Sequence, residues 1–279
     1  MSDTEYLSAG FDINDPDTVA VLDELSLWSA RIGTLLLDHI PFSRGMNVLD
    51  VGCGIGFPCL ELAQQLGSSC YVVGIDPWEA GLRRMKRKRD RWGVRNASCT
   101  QADAVRIPFA ENTFDFIVSN VGINNFEDAD ISLRECARVA RHGATLVLTT
   151  NLVGHMQEFY EVFEAVLTEC CGSTELNRLQ VHVQHRATTN GVNEMLQRAG
   201  FETTKVHEES FSMRYLDGSA LLRHSFIRLA FLDPWKEIVG PTHETKVFQR
   251  LEEKLNALAS ERGEIRLTIP IASVEAVKS

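Results

Sequence analysis

The chain has no apolar run near the roughly 20 residues that a membrane-spanning helix needs. Its first residues, Met1-Ser-Asp-Thr-Glu-Tyr6, are acidic and polar and have neither the basic head nor the apolar stretch of a secretory signal. A cytoplasmic protein is expected. No Cys-x-x-Cys pair is present to seat zinc, and the 7 cysteines are odd in number and scattered, which predicts reduced thiols and no metal site. Positive charge is scarce: 28 Lys and Arg stand against 38 Asp and Glu, a net charge of −10. That balance speaks against a broad nucleic-acid surface, because phosphate neutralisation supplies most of such affinity. Internal repeats and low-complexity tracts are also absent.

What is present is an ordinary globular composition, 44% hydrophobic and 24% charged over 279 residues, enough for one large α/β domain with an insertion. The organising stretch is Val48-Leu-Asp-Val-Gly-Cys-Gly-Ile-Gly56. It reads as a short buried strand running into a glycine loop, followed by helical spacing over Leu60 to Leu66. Glycine accepts positive φ and has no Cβ, so a ligand can approach the backbone there, next to the free N–H groups of a helix start.

Strands then alternate with helices. Tyr71–Asp76, Ala97–Asp103, Phe114–Asn120 and Ala144–Thr150 read as strands, with helices over Glu79–Trp92 and Ile131–Ala140 between them. This predicts a doubly wound, mostly parallel sheet with helices on both faces. Ahead of it, residues 1–20 read as a polar arm or lid, and Val19, Leu22, Leu25, Trp28, Ile32, Leu35 and Leu36 recur at helical spacing up to Ile40. Behind it, helices are predicted at Met156–Cys171, Asn190–Ala199, Ser219–Phe231 and Glu244–Ser260. Strands are predicted at Phe201–Phe211 and Glu264–Val277, the second with a bulge or break at Pro270 because proline cannot donate to a ladder.

The loop departs from the dinucleotide fingerprint, since Gly52-Cys-Gly54-Ile-Gly56 lacks the G-x-G-x-x-G spacing, and this weakens an oxidoreductase reading. Asp76 ends the second strand about 20 residues after the loop, where a carboxylate can accept both hydroxyls of a ribose. Asp103, ending the third, can accept from an exocyclic amine such as adenine N6. Asp50, just before the loop, is expected to face the crevice. Three carboxylates suit a cationic or amine-bearing ligand and repel phosphate.

The run Val48–Gly56 with Asp76, Asp103 and Asn120 resembles the motifs of class I S-adenosylmethionine-dependent methyltransferases, over roughly Phe42 to Thr150. Ile107-Pro-Phe-Ala-Glu-Asn-Thr-Phe-Asp115, Arg134-Glu-Cys-Ala-Arg-Val139 and Gly143 are similar to the ubiquinone/menaquinone-biosynthesis type of small-molecule methyltransferases. The resemblance implies a seven-stranded sheet whose last strands are antiparallel, with a helical insertion between strands 6 and 7. It implies an arm with helices at 1–40 and a methyltransferase domain at 41–279, divided into a cofactor half 42–150 and a substrate or lid half 151–279 with its insertion at about 212–263. S-adenosylmethionine is the implied cofactor, held by Asp50, Gly52, Gly54, Gly56, Asp76, Pro77, Asp103, Ala104 and Asn120.

A sulfonium methyl is already activated, so transfer needs an acceptor held in line and shielded from water. Loops at the carboxyl ends of the strands then supply acceptor contacts, for which Asn120, Asn124, Asn125 and His155 are the candidates, with His155 also the candidate base. Plainer roles compete: turn chemistry for the two asparagines, a surface position for His155, packing for Cys53 and Cys59, and a solvated face for the basic run Arg83–Trp92. Met213, Tyr215 and Trp235 are candidates for a lid. A small-molecule acceptor is the preferred reading. A tRNA or protein methyltransferase and a non-catalytic adenosine-binding protein are the alternatives.

Overall fold

The computed structural model describes residues 4–8, 10–25 and 27–279, with the backbone alone for residues 24, 25 and 27. Part of the polar arm, residues 1–3 and 9, and the side chain of Leu25 thus lie outside the described residues. A short turn of helix at Glu5–Leu7 precedes α1 (Pro16–Leu25) and α2 (Leu27–Leu37), and β1 (Asn47–Val51) opens the alternation. It continues through α3 (Cys59–Leu66), β2 (Tyr71–Asp76), α4 (Glu79–Trp92), β3 (Ala97–Gln101), β4 (Phe114–Asn120), α5 (Ala129–Val139) and β5 (Ala140–Asn151). Then come α6 (Gln157–Cys170), α7 (Ser173–Gln184), α8 (Thr189–Ala199), β6 (Phe201–Tyr215), α9 (Gly218–Arg223), α10 (Ser225–Ile227), α11 (Asp233–Val239), α12 (Glu244–Arg262) and β7 (Ile265–Lys278).

The seven strands lie in the order β3-β2-β1-β4-β5-β7-β6. The first five are parallel, and β7 runs antiparallel to β5 with Asn151 opposite Ile271 and Thr145 opposite Val277. The doubly wound sheet of the sequence reading is therefore present. The strand order reverses between β1 and β4, whose chains run parallel, and this switch point opens a crevice outside their carboxyl ends. The central strands read as unbroken apolar runs because both faces are covered: Val48, Leu49, Phe116 and Val118 are fully buried.

Two compact units form. One gathers Ile13–Asn151, Ala187–Glu209 and Ile271–Ser279. Its core joins the sheet to α2 and α3 through Leu36, Leu60, Leu62 and Val147. Asp128 caps α5 by accepting the Ile131 N–H at 2.8 Å, which satisfies one of the free donors of a helix start. The other gathers the described residues of Met1–Asp12 with Leu152–Arg186 and Ser210–Pro270. It is helical, and its centre is aromatic: Phe159 stacks on Trp235 at 4.1 Å, and Phe231 lies 5.8 Å from the same indole. Tyr6 and Leu7 are buried in it, with the Arg223 guanidinium over the Tyr6 ring at 4.9 Å. The segment 1–40 expected as one piece is shared between the two.

Several expectations need correction. β7 is unbroken through Pro270, because the missing N–H falls beyond the β5 pairing while its carbonyl accepts the Leu152 N–H at 2.9 Å. β5 begins at Ala140 rather than Ala144, with the register stepping from Phe114 opposite Ala140 to Phe116 opposite Thr145. The helix predicted over Ser219–Phe231 breaks at His224 and resumes through a π-helical turn, Arg228–Leu232. Helices α7 and α11 are additional. Trp235, read as part of a lid, is fully buried in the aromatic centre. All 7 cysteines are free thiols. Among the described residues no helix is long and apolar enough to cross a membrane, and no group of His, Cys, Asp and Glu is placed to hold a metal.

Candidate functional site: the crevice at the carboxyl ends of β1 and β4

The glycine loop leaves β1 with Gly52, Gly54 and Gly56 all at positive φ, 83°, 48° and 105°. A side chain at any of these would strain the backbone. At Gly56 it would also meet Met85 at 2.8 Å and Leu60 at 3.0 Å, whereas at Gly54 it would meet nothing within 4 Å. The loop is thus packed on its inner side and open at its tip. Gly52 and Cys53 donate their N–H groups to the Ile75 carbonyl at 2.9 and 3.0 Å, tying the loop to the end of β2. Asp76 completes the tie, accepting from the Gly54 N–H at 2.9 Å and the Trp78 N–H at 2.8 Å, one bond on each carboxylate oxygen. A carboxylate has about four acceptor positions, so two are left for a ligand.

Two cavities sit on this frame. One of about 420 Å³ is lined by Asp76, Pro77, Asp103, Ala104, Asn125 and Trp28, with Phe126 and Glu127 at its rim. The other, about 770 Å³, runs from Gly52–Phe57 past Ser29 and Ala30 of α2 to the basic side of α4. Gly52, Ser29 and Asn120 belong to both linings. Asp103 accepts the Val105 N–H at 3.0 Å through Oδ1, which leaves Oδ2 available. Asn120 is fixed on both sides, its Oδ1 accepting from Thr149 at 2.8 Å and its amide donating to the Ser29 carbonyl at 3.2 Å. The next residue, Val121, is held at φ 59°, a strained conformation for a β-branched side chain. Such strain collects at ligand sites and turns the chain sharply at the cavity wall.

Gly52, Gly54, Gly56, Asp76, Pro77, Asp103, Ala104 and Asn120 all line these cavities, as does Asn125. Asp50 is a correction. It is fully buried and on neither lining, because the strand alternation turns it inward toward Cys53 and Cys59. Burial pushes its carboxyl up to about 8, and the charge of Asp76 adds to the rise. Asn124 is also turned away, donating to Asn151 Oδ1 and accepting from Thr150 Oγ1. Cys53 and Cys59 are buried thiols whose pKa burial raises far above the ordinary value, so packing is their role.

His155 belongs to the helical unit and is not a surface residue: it is 2% exposed, beside the Phe231 ring at 5.7 Å. Burial, assisted by the positive charge of Arg186, lowers its pKa to about 3, so the imidazole is neutral at physiological pH. The basic run is more than a solvated face. Arg84 and Lys88 clasp Asp23 of α1 at 2.7 and 2.8 Å, and Arg87 and Arg91 line the larger cavity beside them.

Sequence reasoning missed Ser29, Ala30, Phe57, Trp78 and Val121 as cavity residues. One signal was available for the α2 contribution. Gly33 lies within an apolar helical pattern, where glycine is costly, and a Cβ there would overlap the Phe57 ring at 2.1 Å. The glycine is what lets that ring lie against α2.

An adenosine ligand with a cationic sulfonium fits this donor set: an open backbone cradle at Gly54, a carboxylate with two free acceptor positions, a second carboxylate across an apolar slot, and a fixed amide. A family model described as a methyltransferase domain matches residues 42–200. Norajmaline N-methyltransferase of Rauvolfia serpentina is 27% identical over 188 residues, 63% of this chain and 62% of that protein. The chain thus spans about six tenths of that relative's length. Demethylmenaquinone methyltransferase of Anoxybacillus flavithermus is 27% identical over 179 residues, 61% of this chain and 76% of the relative. In fold, a SAM-dependent methyltransferase from Aquifex aeolicus superposes with a TM-score of 0.54 at 23% identity, over 69% of this chain and 91% of that one. The chain belongs to the methyltransferase-domain family, whose cofactor is S-adenosylmethionine.

Proposed function

We propose that this protein transfers the methyl group of S-adenosylmethionine to a small, partly apolar acceptor. The observation that carries this reading is the 420 Å³ cavity in which Asp76 and Asp103 face an apolar slot formed by Trp28, Pro77 and Ala104, continuous through Gly52 and Asn120 with the glycine loop. When bound, the cofactor supplies a methyl group already activated for in-line displacement. The chain's own task is binding, alignment and exclusion of water. Asp76 would take the ribose hydroxyls on its two unused acceptor positions, and Asp103 Oδ2 would accept from the adenine amine. The loop N–H groups and Asn120 would hold the amino-acid end. Asp50 stays outside this set.

The acceptor contacts are Asn125, on the cavity wall, with Asn124 holding the β5 end through Thr150 and Asn151. His155 would take a proton from the acceptor only weakly, since a base works best with its pKa near the operating pH. We therefore assign it to packing within the helical unit, beside the Phe231 ring. The two relatives are named for methyl transfer to norajmaline and to demethylmenaquinone, which supports a small-molecule acceptor.

Methylation of RNA or protein is the second reading, favoured by Arg87 and Arg91 on the larger cavity. Asp23 opposes it by neutralising Arg84 and Lys88, as does the overall charge of −10. The test has two stages. Calorimetric titration with S-adenosylhomocysteine should give saturable one-to-one binding, and its absence would overturn the cofactor assignment. Methyl transfer from labelled cofactor is then compared across amine, phenol and quinol acceptors, bulk tRNA and denatured protein. Label appearing in RNA or protein alone would overturn the small-molecule reading.

A further inference from the structure

A groove in the helical unit belongs to none of the groups above. It lies between α7 and α11, encloses about 750 Å³, and is lined by Arg178, His182, His185 and Arg186 on one side and Pro234 and Ile238 on the other, with the exposed Val181 among them. That volume falls in the usual range of small-molecule sites, roughly 300–1,000 Å³. Arg178 and His182 are four apart on α7, so they stand one above the other on a single helix face about 6 Å apart, and Arg186 follows two residues beyond the helix end at Gln184. Arg178 contacts the Ile238 carbonyl at 3.5 Å, and neither arginine forms an ion pair among the described residues. Glu237 is the one acid on the lining.

The apolar component is equally unusual. Val181 is 69% exposed, among these basic residues. An isoleucine and a proline face it across the groove. Beneath it the wall is rigid. His182 Nε2 and the Tyr160 hydroxyl are 3.0 Å apart, and Trp235 donates its indole N–H to the same hydroxyl at 3.3 Å. The Nε–H of Arg186 is shielded from solvent and has no acceptor. Two guanidinium groups outside any salt bridge, one of them hydrogen-bonded to the Tyr160 hydroxyl, beside the apolar Val181 and Ile238 are charge-complementary to an anion with an apolar body.

We propose that the groove between α7 and α11 binds a small amphipathic anion, a carboxylate or phosphate monoester carrying an aliphatic or aromatic body, with Arg178 and Arg186 holding the anionic head and Val181 and Ile238 the body. The proposal is independent of the cofactor assignment, because every residue in it lies in the helical unit.

The test is calorimetric titration of the whole protein with octanoate, octyl phosphate, octylamine and octanol. Saturable binding of one or both anions is expected, at least about tenfold tighter than the amine or the alcohol, since charge-assisted bonds contribute about 1.5–3 kcal/mol each. Which anion binds more tightly separates the carboxylate from the phosphate. In the variant carrying both Arg178→Gln and Arg186→Gln, anion affinity should fall at least about tenfold with the unfolding temperature unchanged. Val181→Asp is the second variant, placing a negative charge on the lining at an exposed position, and should also abolish anion binding. Equal affinity for anion and amine, or full affinity in both variants, would overturn the proposal. So would a sedimentation result in which the unmodified protein is a dimer that Val181→Asp dissociates, since the groove would then be an interface between copies.

Discussion

The carboxylate of Asp76 accepts the Gly54 N–H at 2.9 Å, so one side chain both shapes the glycine loop and carries the acceptor positions proposed for the ribose. Asp76→Ala and Asp76→Asn should therefore be nearly equally damaging. The asparagine would turn an N–H₂ donor toward either the Gly54 or the Trp78 N–H, where an acceptor is needed. Dissociation constants for S-adenosylhomocysteine should rise by roughly 10- to 100-fold in both, in keeping with about 1.5–3 kcal/mol for a charge-assisted bond. Calorimetry measures this directly. An asparagine variant with unchanged affinity would remove Asp76 from the cofactor site.

Asp103 accepts from its own loop through Oδ1 and lines the smaller cavity. Its contribution should be specific to the purine amine. The unmodified protein is expected to prefer S-adenosylhomocysteine over its inosine counterpart, which carries a carbonyl where the amine would be. Asp103→Ala should reduce that preference by about tenfold while weakening the inosine ligand little. Equal weakening of both ligands would show that Asp103 supports the loop and does not read the base.

Burial of His155 bears on catalysis and on stability. Its pKa is lowered to about 3 in the folded state, below the ordinary 6.5, so the unfolded chain binds the proton more tightly between those values. The histidine's contribution is present above pH 6.5 and is lost as pH falls toward 3. His155→Gln should flatten that part of the acid-unfolding curve and leave kcat within about tenfold, with no change in the shape of the pH–rate profile between about pH 6 and 9. A loss of the acidic limb of that profile in the variant would restore His155 as the base.

The cofactor half was legible because its signals are local. Val48 to Gly56 carries its strand and its loop in consecutive residues, and Asp76 ends an apolar strand, whereas Asp103 lies two residues beyond β3, a strand of mostly polar residues. Asp50 was misplaced for a physical reason: strand alternation assigns a residue to a face, but whether that face meets a ligand or a helix depends on where α3 packs. The helical unit was harder to read. Helix α7 buries only Leu179, so its sequence Ser173–Gln184 carries almost no apolar period, and α11 is short and begins beside Pro234. The contribution of α2 to both cavities was hidden because helix and loop are joined by tertiary contact alone, through Gly33 and Phe57.

Asp50 also has a stability consequence of opposite sign to that of His155. Its folded pKa of about 8 lies above the ordinary carboxylate value of 3.8, so the folded protein binds the proton more tightly. Stability from this group is fully present below about pH 4 and is lost as pH rises through 8. Asp50→Asn keeps the volume and removes the titration. The variant should gain in unfolding temperature relative to the unmodified protein as pH increases from 5 to 8, with little difference near pH 4. A constant difference across that range would mean that Asp50 is already ionised in the folded state at pH 5.

Gly33 and Phe57 offer the sharpest packing test, because a Cβ on Gly33 would lie 2.1 Å from the ring Cε1 and 3.3 Å from the Asn120 amide nitrogen. Gly33→Ala must displace the ring, the helix or both, although alanine alone is the better helix former by about 1 kcal/mol. The ring lines the larger cavity, so its displacement should weaken S-adenosylhomocysteine binding by about tenfold and lower the unfolding temperature. Phe57→Ala removes the obstacle. In the double variant the alanine at position 33 should cost nothing further and should recover its helix-forming advantage, a coupling of roughly 0.5–3 kcal/mol between residues in contact. Additive effects of the two substitutions on both binding and unfolding would show that α2 does not rest on Phe57 in the folded protein, and the wall of the larger cavity would then have to be formed by other residues.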